Sequence, residues 1–134
     1  MITRKLRALS PGECLDLLEP SGVGRVGLMA AEGIVMLPVN YAIAAKTVVF
    51  RTAPDTILAA QAGGPASFQA DRLDAAAREG WSVLVQGRAH IVANEHDVRI
   101  LERQTRLEPW AGGARDVWVR ITPVHISGRR VRQE

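Results

Sequence analysis

Residues 24–52 read "GRVGLMAAEGIVMLPVNYAIAAKTVVFRT". Three segments of it, 24–30, 33–45 and 46–52, are rich in Val, Ile, Leu and other strand-forming side chains. The connections between them are far too short for the crossover that a parallel return requires, so the stretch predicts an antiparallel meander. In the second segment Val35, Leu37, Val39 and Tyr41 alternate with Ile34, Met36, Pro38 and Asn40, which leaves both faces apolar as far as Pro38. Proline has no N–H to give to a ladder. Its place inside a strand therefore marks an edge, a bulge or backbone left free for another partner.

Upstream, Ser10-Pro11-Gly12-Glu13 is a capping box with proline at the first helical position, and it opens a short helix that carries Cys14, Leu15 and Leu18 on one side. Residues 19–22 end that helix. Downstream, "DTILAAQAGG" (55–64) predicts a second short helix closed by glycine, and "ASFQAD" (66–71) a further strand. "WSVLVQGRAHIVA" (81–93) is a long strand broken at Gly87. Asn94 caps a helix with Val98, Leu101 and the charged run 102–106, and "DVWVRITPVHISGRRV" (116–131) is one more strand. The result is a mainly β chain with three short helices and about six strands, a small β-barrel spanning 1–134 as one unit.

Composition narrows the classes. Seventeen Lys and Arg against fourteen Asp and Glu give a net charge of +3, a balance that favours acidic partners. The basic residues are scattered, with "RKLR" (4–7) and "GRRVR" (128–132) at the two ends, and no basic stripe interleaved with aromatics offers a nucleic-acid groove. No apolar run approaches the roughly 18 residues of a membrane helix, and "MITRKLRALS" lacks a signal-peptide core; the expected location is the cytoplasm. The lone Cys14 has no partner for an internal disulfide.

Several motifs lead nowhere. Gly22-Val23-Gly24-Arg25-Val26-Gly27 matches G-x-G-x-x-G, but it follows a helix and enters a strand, whereas the dinucleotide fingerprint follows a strand and opens a helix. His90, His96 and His125 have no metal-ligand spacing. Ser67 and Ser82 stand on strands without a nucleophile elbow, so hydrolase chemistry has no support.

One stretch stays open to two readings. In "VVFRTAPDTILAAQ" (48–61) a strand ends on Arg51 and Thr52 just before a helix begins. An arginine, a hydroxyl and a helix start together suit an anion such as a phosphate. Equally, Arg51 is a solvated strand end and Thr52 a helix cap.

The order "GRVGL", "GIVMLPVNYAI", "TVVFRTAPDTILAA", "ASFQADRLD", "GWSVLVQGRAHIV", "EPWAGG" and "WVRITPVHISGRRV" resembles the pyridoxamine 5′-phosphate oxidase-like family of flavin-binding split barrels over roughly Leu9 to Val131. The resemblance implies a six-stranded split barrel, homodimeric, with FMN or in some branches a deazaflavin coenzyme bound between the barrels. It implies that the "FRT" strand end, Phe50, Arg51 and Thr52, together with Thr56 and Ile57, holds the FMN phosphate. It implies that Pro38, Val39, Asn40 and Tyr41 run along the isoalloxazine, that Trp81 and Ser82 border the same site, and that Trp110 reaches across from the partner.

The sequence departs from the family at Ile57 and Leu58, where many relatives carry basic residues that grip the phosphate, and Asp55 adds a negative charge nearby. Ala44-Ala45 also replaces the Asp-Gly expected in the hairpin turn. Arg129 and Arg130 lack the company that a second, substrate phosphate would need, so oxidation of pyridoxamine phosphate is not expected. Three functions follow: a flavin-dependent oxidoreductase for a small molecule, a non-catalytic dimeric binding or storage module that has lost the phosphate grip, and, more weakly, a basic nucleic-acid binder. Trp81, Trp110 and Trp118, in a chain poor in other aromatics, suit an interface between two copies.

Overall fold

In the computed structural model, which describes residues 3–133, the quoted stretch forms three antiparallel strands joined by two-residue turns at 31–32 and 45–46. Along the chain the elements are β1 (Arg4–Leu9), α1 (Pro11–Leu18), β2 (Gly22–Ala30), β3 (Gly33–Ala44), β4 (Thr47–Thr52), α2 (Ile57–Ala60), β5 (Pro65–Asp74), β6 (Glu79–Ile91), α3 (Glu95–Thr105) and β7 (Val117–Gln133). The sheet order is β1-β7-β4-β3-β2-β5-β6, and an additional β6–β7 pairing closes it.

Six strands make the closed ring and a seventh lies beside it, one more than the sequence predicts. The extra strand is β1, within the segment read only as a charged N-terminus. Of its six residues only Leu9 is buried, so β1 has almost no hydrophobic signal of its own; its ladder with Gly128–Gln133 of β7 holds it in place. The second helix is also shorter than predicted, because Thr56 and not Thr52 is its cap: the Thr56 hydroxyl accepts from the Ala59 N–H, and only four helical residues follow. The capping box of α1 forms in full, with the Glu13 N–H donating to the Ser10 hydroxyl and the Ser10 N–H to the Glu13 carboxylate at 3.0 Å.

β7 organises the barrel. One of its edges pairs with β6 from Val119 to Val131; the other pairs first with β4 (Val117–Ile121) and then, beyond a gap, with β1. That gap leaves residues 122–127 of β7 unpaired on this edge. Helix α1 packs against β7 near it and sends Cys14 and Leu18 into the interior. Side chains alternate as strand geometry demands. Val26, Leu28, Phe50, Phe68, Val83, Val85, Val119 and Ile121 fill the inside. A second, smaller core of Leu101, Leu107, Val49, Trp118, Ala42 and Ala44 lies where α3 covers the outer face of β3, β4 and β7.

The glycine motif of β2 belongs to this packing. A Cβ on Gly24 would lie 2.4 Å from the ring of Phe68, so glycine is required there for the aromatic to enter the core. At the β3–β4 turn both central residues, Ala45 and Lys46, have positive φ (49° and 61°), the conformation that Asn-Gly or Asp-Gly adopts more cheaply. The turn thus centres on Ala45-Lys46, one residue beyond the Ala44-Ala45 expected from sequence.

Candidate functional site

The free backbone lies on β3. β4 pairs only with Tyr41–Ala44, so from Gly33 to Asn40 the strand has β2 on one edge and no strand on the other. Pro38, opposite Arg25, sits within that half, where a missing N–H costs no ladder hydrogen bond. Alternation then separates the four residues singled out by sequence. Pro38 and Asn40 project outward; Val39 and Tyr41 are barrel core at 7% and 3% exposure, and Tyr41 is paired on both edges, with Gly22 and with Phe50. Burial pushes the Tyr41 phenol up from its ordinary value. Asn40 is already engaged, because its Oδ1 accepts from the Trp110 backbone N–H at 2.9 Å.

That bond fastens a strap, residues 106–116, beside the open edge. Arg51 fastens its other end: Nε donates to the Arg115 carbonyl at 3.0 Å and Nη1 to the Leu107 carbonyl at 3.2 Å, while the guanidinium lies 5.4 Å from the centre of the Trp118 ring. Arg51 is therefore not the solvated strand end of the simpler reading. Arg115 brings a second guanidinium to the strap, and its Nε is buried without a hydrogen-bond partner. Nothing in "PWAGGARD" marks these contacts, because they run from side chain to carbonyl, and a carbonyl leaves no trace in sequence.

Thr52 and Thr56 meet at 2.6 Å between hydroxyl oxygens, and the Thr56 hydroxyl also lies 2.9 Å from the Ala53 carbonyl, to which it donates. Each hydroxyl has one proton, so Thr52 must donate to Thr56, and both protons are spent inside the turn. Thr52 is 1% exposed and Phe50 fully buried, so of the "FRT" side chains Arg51 alone reaches the surface. Ile57 is half-buried at the start of α2, and Leu58 points into the core.

Trp81 and Ser82 leave β6 on opposite faces. Trp81 packs on the barrel core at one end, while Ser82 lines an outer cavity of about 490 Å³ with Gln69, Leu84, Ser127 and Arg129. The Trp110 indole is 82% exposed on the strap, and Trp118 is buried beneath Arg51. Arg51, Asn40 and Trp110 thus meet on one strap, Thr52 and Thr56 lie at the adjoining strand end, and Trp81 is elsewhere. Cys14 is buried, and burial pushes its thiol up, away from the reactive thiolate.

On the outer face of β2, β3, β5 and β6 lies a cavity of about 390 Å³ edged by Met29, Ile34, Met36 and Leu84. Met29, Ile34 and Met36 are exposed by 58%, 76% and 64%. Three large apolar side chains this open, on adjacent strands, form a surface that water covers poorly.

A sheet closed by β6–β7, with an open β3 edge beside a strand end that turns into a helix, defines a flavin-type split barrel. The chain belongs to the pyridoxamine 5′-phosphate oxidase family, whose sequence profile matches residues 10–130. Among its relatives, the uncharacterised Mycobacterium tuberculosis protein Rv0080 is 32% identical over 134 residues, covering 96% of this chain and 87% of its own. A Mycobacterium smegmatis protein described as FAD-binding is 36% identical with a TM-score of 0.79, over 92% of this chain and 98% of that one. A Mesorhizobium loti protein, also described as FAD-binding, is 25% identical with a TM-score of 0.74, over 96% of this chain and 98% of that one.

Proposed function

We propose that this protein binds a flavin nucleotide along the open edge of β3 and that the nucleotide is FAD, with FMN the weaker ligand. The observation that carries the reading is the unpaired half-strand Gly33–Asn40 beside Arg51, in a chain 36% identical to an FAD-binding relative. Backbone N–H and C=O groups with no strand opposite them suit the alternating donors and acceptors on the polar edge of an isoalloxazine. Pro38 keeps that edge from being taken by another strand.

The phosphate end decides between the flavins. FMN ends in a monoester with a charge of about −1.5 to −2 at neutral pH and wants several cations. Here Arg51 has spent Nε and Nη1 on carbonyls, Thr52 and Thr56 have no proton left to donate, and Ile57 and Leu58 bring no charge. A diphosphate, with a single charge on each group, asks less of each cation. Arg51 keeps both Nη2 protons and the second Nη1 proton for it, and the Arg115 guanidinium, whose Nε is buried without a partner, is the other cation of the strap. A bound flavin would supply hydride chemistry, and the chain would orient it, which makes an oxidoreductase acting on a small molecule the activity most consistent with the site.

The exposed Met29, Ile34 and Met36 face is assigned to a second copy of the chain, giving a homodimer. Titration of the purified protein with FAD, FMN, riboflavin and a deazaflavin, followed by flavin fluorescence, tests the ligand. FAD should bind more tightly than FMN; absence of saturable binding by any of the four refutes the site. Sedimentation should give twice the 14.5 kDa chain mass, and Met36→Lys should release the monomer.

A further inference from the structure

We propose that one end of the barrel, where Arg72, Trp81 and Arg130 stand side by side on three adjacent strands, is a binding site for a small aromatic carboxylate. The register brings them together: Arg72 of β5 is directly opposite Trp81 of β6, and Trp81 is directly opposite Arg130 of β7. Residues directly opposite share a face, and two positions along the same faces lie Ala70, Val83 and Gly128, the first two buried in the core. The row therefore continues the barrel interior out to its rim. Leu17 of α1 completes one wall of a cavity of about 490 Å³.

Charge is what makes the row unusual. Arg7 of β1, next in line opposite Arg130, is neutralised by Glu13 at 3.1 Å, and Arg25 by Asp71 at 3.8 Å. Arg72 and Arg130 make no hydrogen bond or ion pair among the described residues. Arg132 adds a third positive charge to the same cavity. Two acids also line it, but their contacts lead elsewhere: Asp74 Oδ1 accepts from the Ala77 N–H, and Glu79 Oε1 from the Gln133 N–H. Three guanidinium groups against the two carboxylates leave the lining with a net positive charge, and an anion between Arg72 and Arg130 would accept charge-assisted hydrogen bonds from both.

Beside the row, Tyr41 is opposite Gly22, where an added Cβ would meet nothing within 4 Å. The phenol has no hydrogen-bond partner among the described residues, and the Arg72 charge reaches it. The end of the barrel thus offers two planar forks for a carboxylate, an indole and Leu17 for an apolar ring, and a hydroxyl with no partner. Guanidinium forks match a carboxylate in two-point geometry, which selects this anion over a spherical one.

Benzoate is the probe, titrated calorimetrically against the full chain, with acetate and inorganic phosphate as comparisons. Saturable binding with a Kd of about 1 mM or tighter is expected. Arg72→Gln and Arg130→Gln should each weaken it about tenfold or more, while Arg99→Gln, which alters a guanidinium paired with Glu95 on α3, leaves it unchanged. On the wild-type chain, benzoate should also protect Arg72 and Arg130, and not Arg99, from modification by phenylglyoxal, a readout independent of whether any variant folds. Absence of saturable binding, full retention in either glutamine variant, or equal modification of Arg72 and Arg130 with and without benzoate overturns the proposal. Acetate binding as tightly as benzoate overturns the part assigned to the indole.

Discussion

Replacing Arg51 with alanine separates two roles that the sequence leaves open. If the guanidinium were a free phosphate ligand, Arg51→Ala would weaken flavin binding and leave the melting temperature alone. The geometry predicts a large stability cost as well. Two hydrogen bonds from a charged donor to carbonyls, at 3.0 and 3.2 Å, contribute about 1.5–3 kcal/mol each when well shielded. Arg51 is partly exposed, so the lower end applies. The approach to Trp118 at 5.4 Å adds about 0.5–1 kcal/mol. A loss of roughly 3.5–4 kcal/mol in a chain of this length lowers Tm by roughly 10–15 °C. Arg51→Lys, which keeps the charge and loses the fork, should recover only a minor part. Calorimetry reads the loss, and limited proteolysis reads its location, because release of the strap exposes Arg106 and Arg115 to trypsin. A Tm within about 2 °C of wild type, with no new cleavage in 106–116, would show that Arg51 does not hold the strap.

Four further outcomes are expected. Gly24→Ala should cost about 1–3 kcal/mol in chemical denaturation, because the new methyl meets the Phe68 ring at 2.4 Å and one of the two must move. Ala45→Asn combined with Lys46→Gly should raise the melting temperature by relieving two positive-φ residues, by about 1 kcal/mol in total; no change would mean that the turn is unstrained. Glu13 is held below its ordinary carboxylate range, first by the Ser10 N–H and then by Arg7. Its depressed pKa contributes stability that is complete above the ordinary glutamate range and lost as pH falls through the folded value, so the Tm advantage of wild type over Glu13→Gln should shrink on acidification; a gap constant with pH contradicts this. Ile57→Lys, at the half-exposed start of α2, should strengthen FMN binding more than FAD binding, since the terminal monoester gains more from an added cation; equal effects in a flavin titration would count against the reading of the phosphate end.

The meander, the two capped helices α1 and α3 and the long β6 and β7 were legible because each rests on local signals: strand-forming runs, a capping box, Asn94 before a helical stretch, a glycine where a strand breaks. Pro38 announced the free edge for the same reason, since a missing N–H is written in the residue type. β1 was hidden because its stability is borrowed from β7 through backbone pairing, which charged side chains neither require nor reveal. Within the site, sequence singled out Arg51 and Asn40 but not the strap contacts they make. Arg51 reaches carbonyls 56 and 64 residues away, and Asn40 an N–H 70 residues away; contacts of that separation with backbone atoms have no periodicity to betray them. Trp81 and Ser82 were grouped by the family resemblance; they leave β6 on opposite faces, yet both line a cavity at the end of the strand.

The long final strand also sets an order for folding. β7 closes the ring by pairing with both Val48–Thr52 and Gly80–Ile91, and Arg4 meets its partner at Gln133, so these closing contacts span large loops. A high proportion of such distant pairings slows folding, because the entropy of loop closure is lost before the pairings compensate it. Until residues 117–133 arrive, β4 and β6 present unpaired edges in an apolar, two-faced sheet, the kind of edge that captures strands from other chains. Substitutions that weaken β7 should therefore lower the yield of soluble protein more than their effect on equilibrium stability suggests, with aggregation increasing at higher expression temperature.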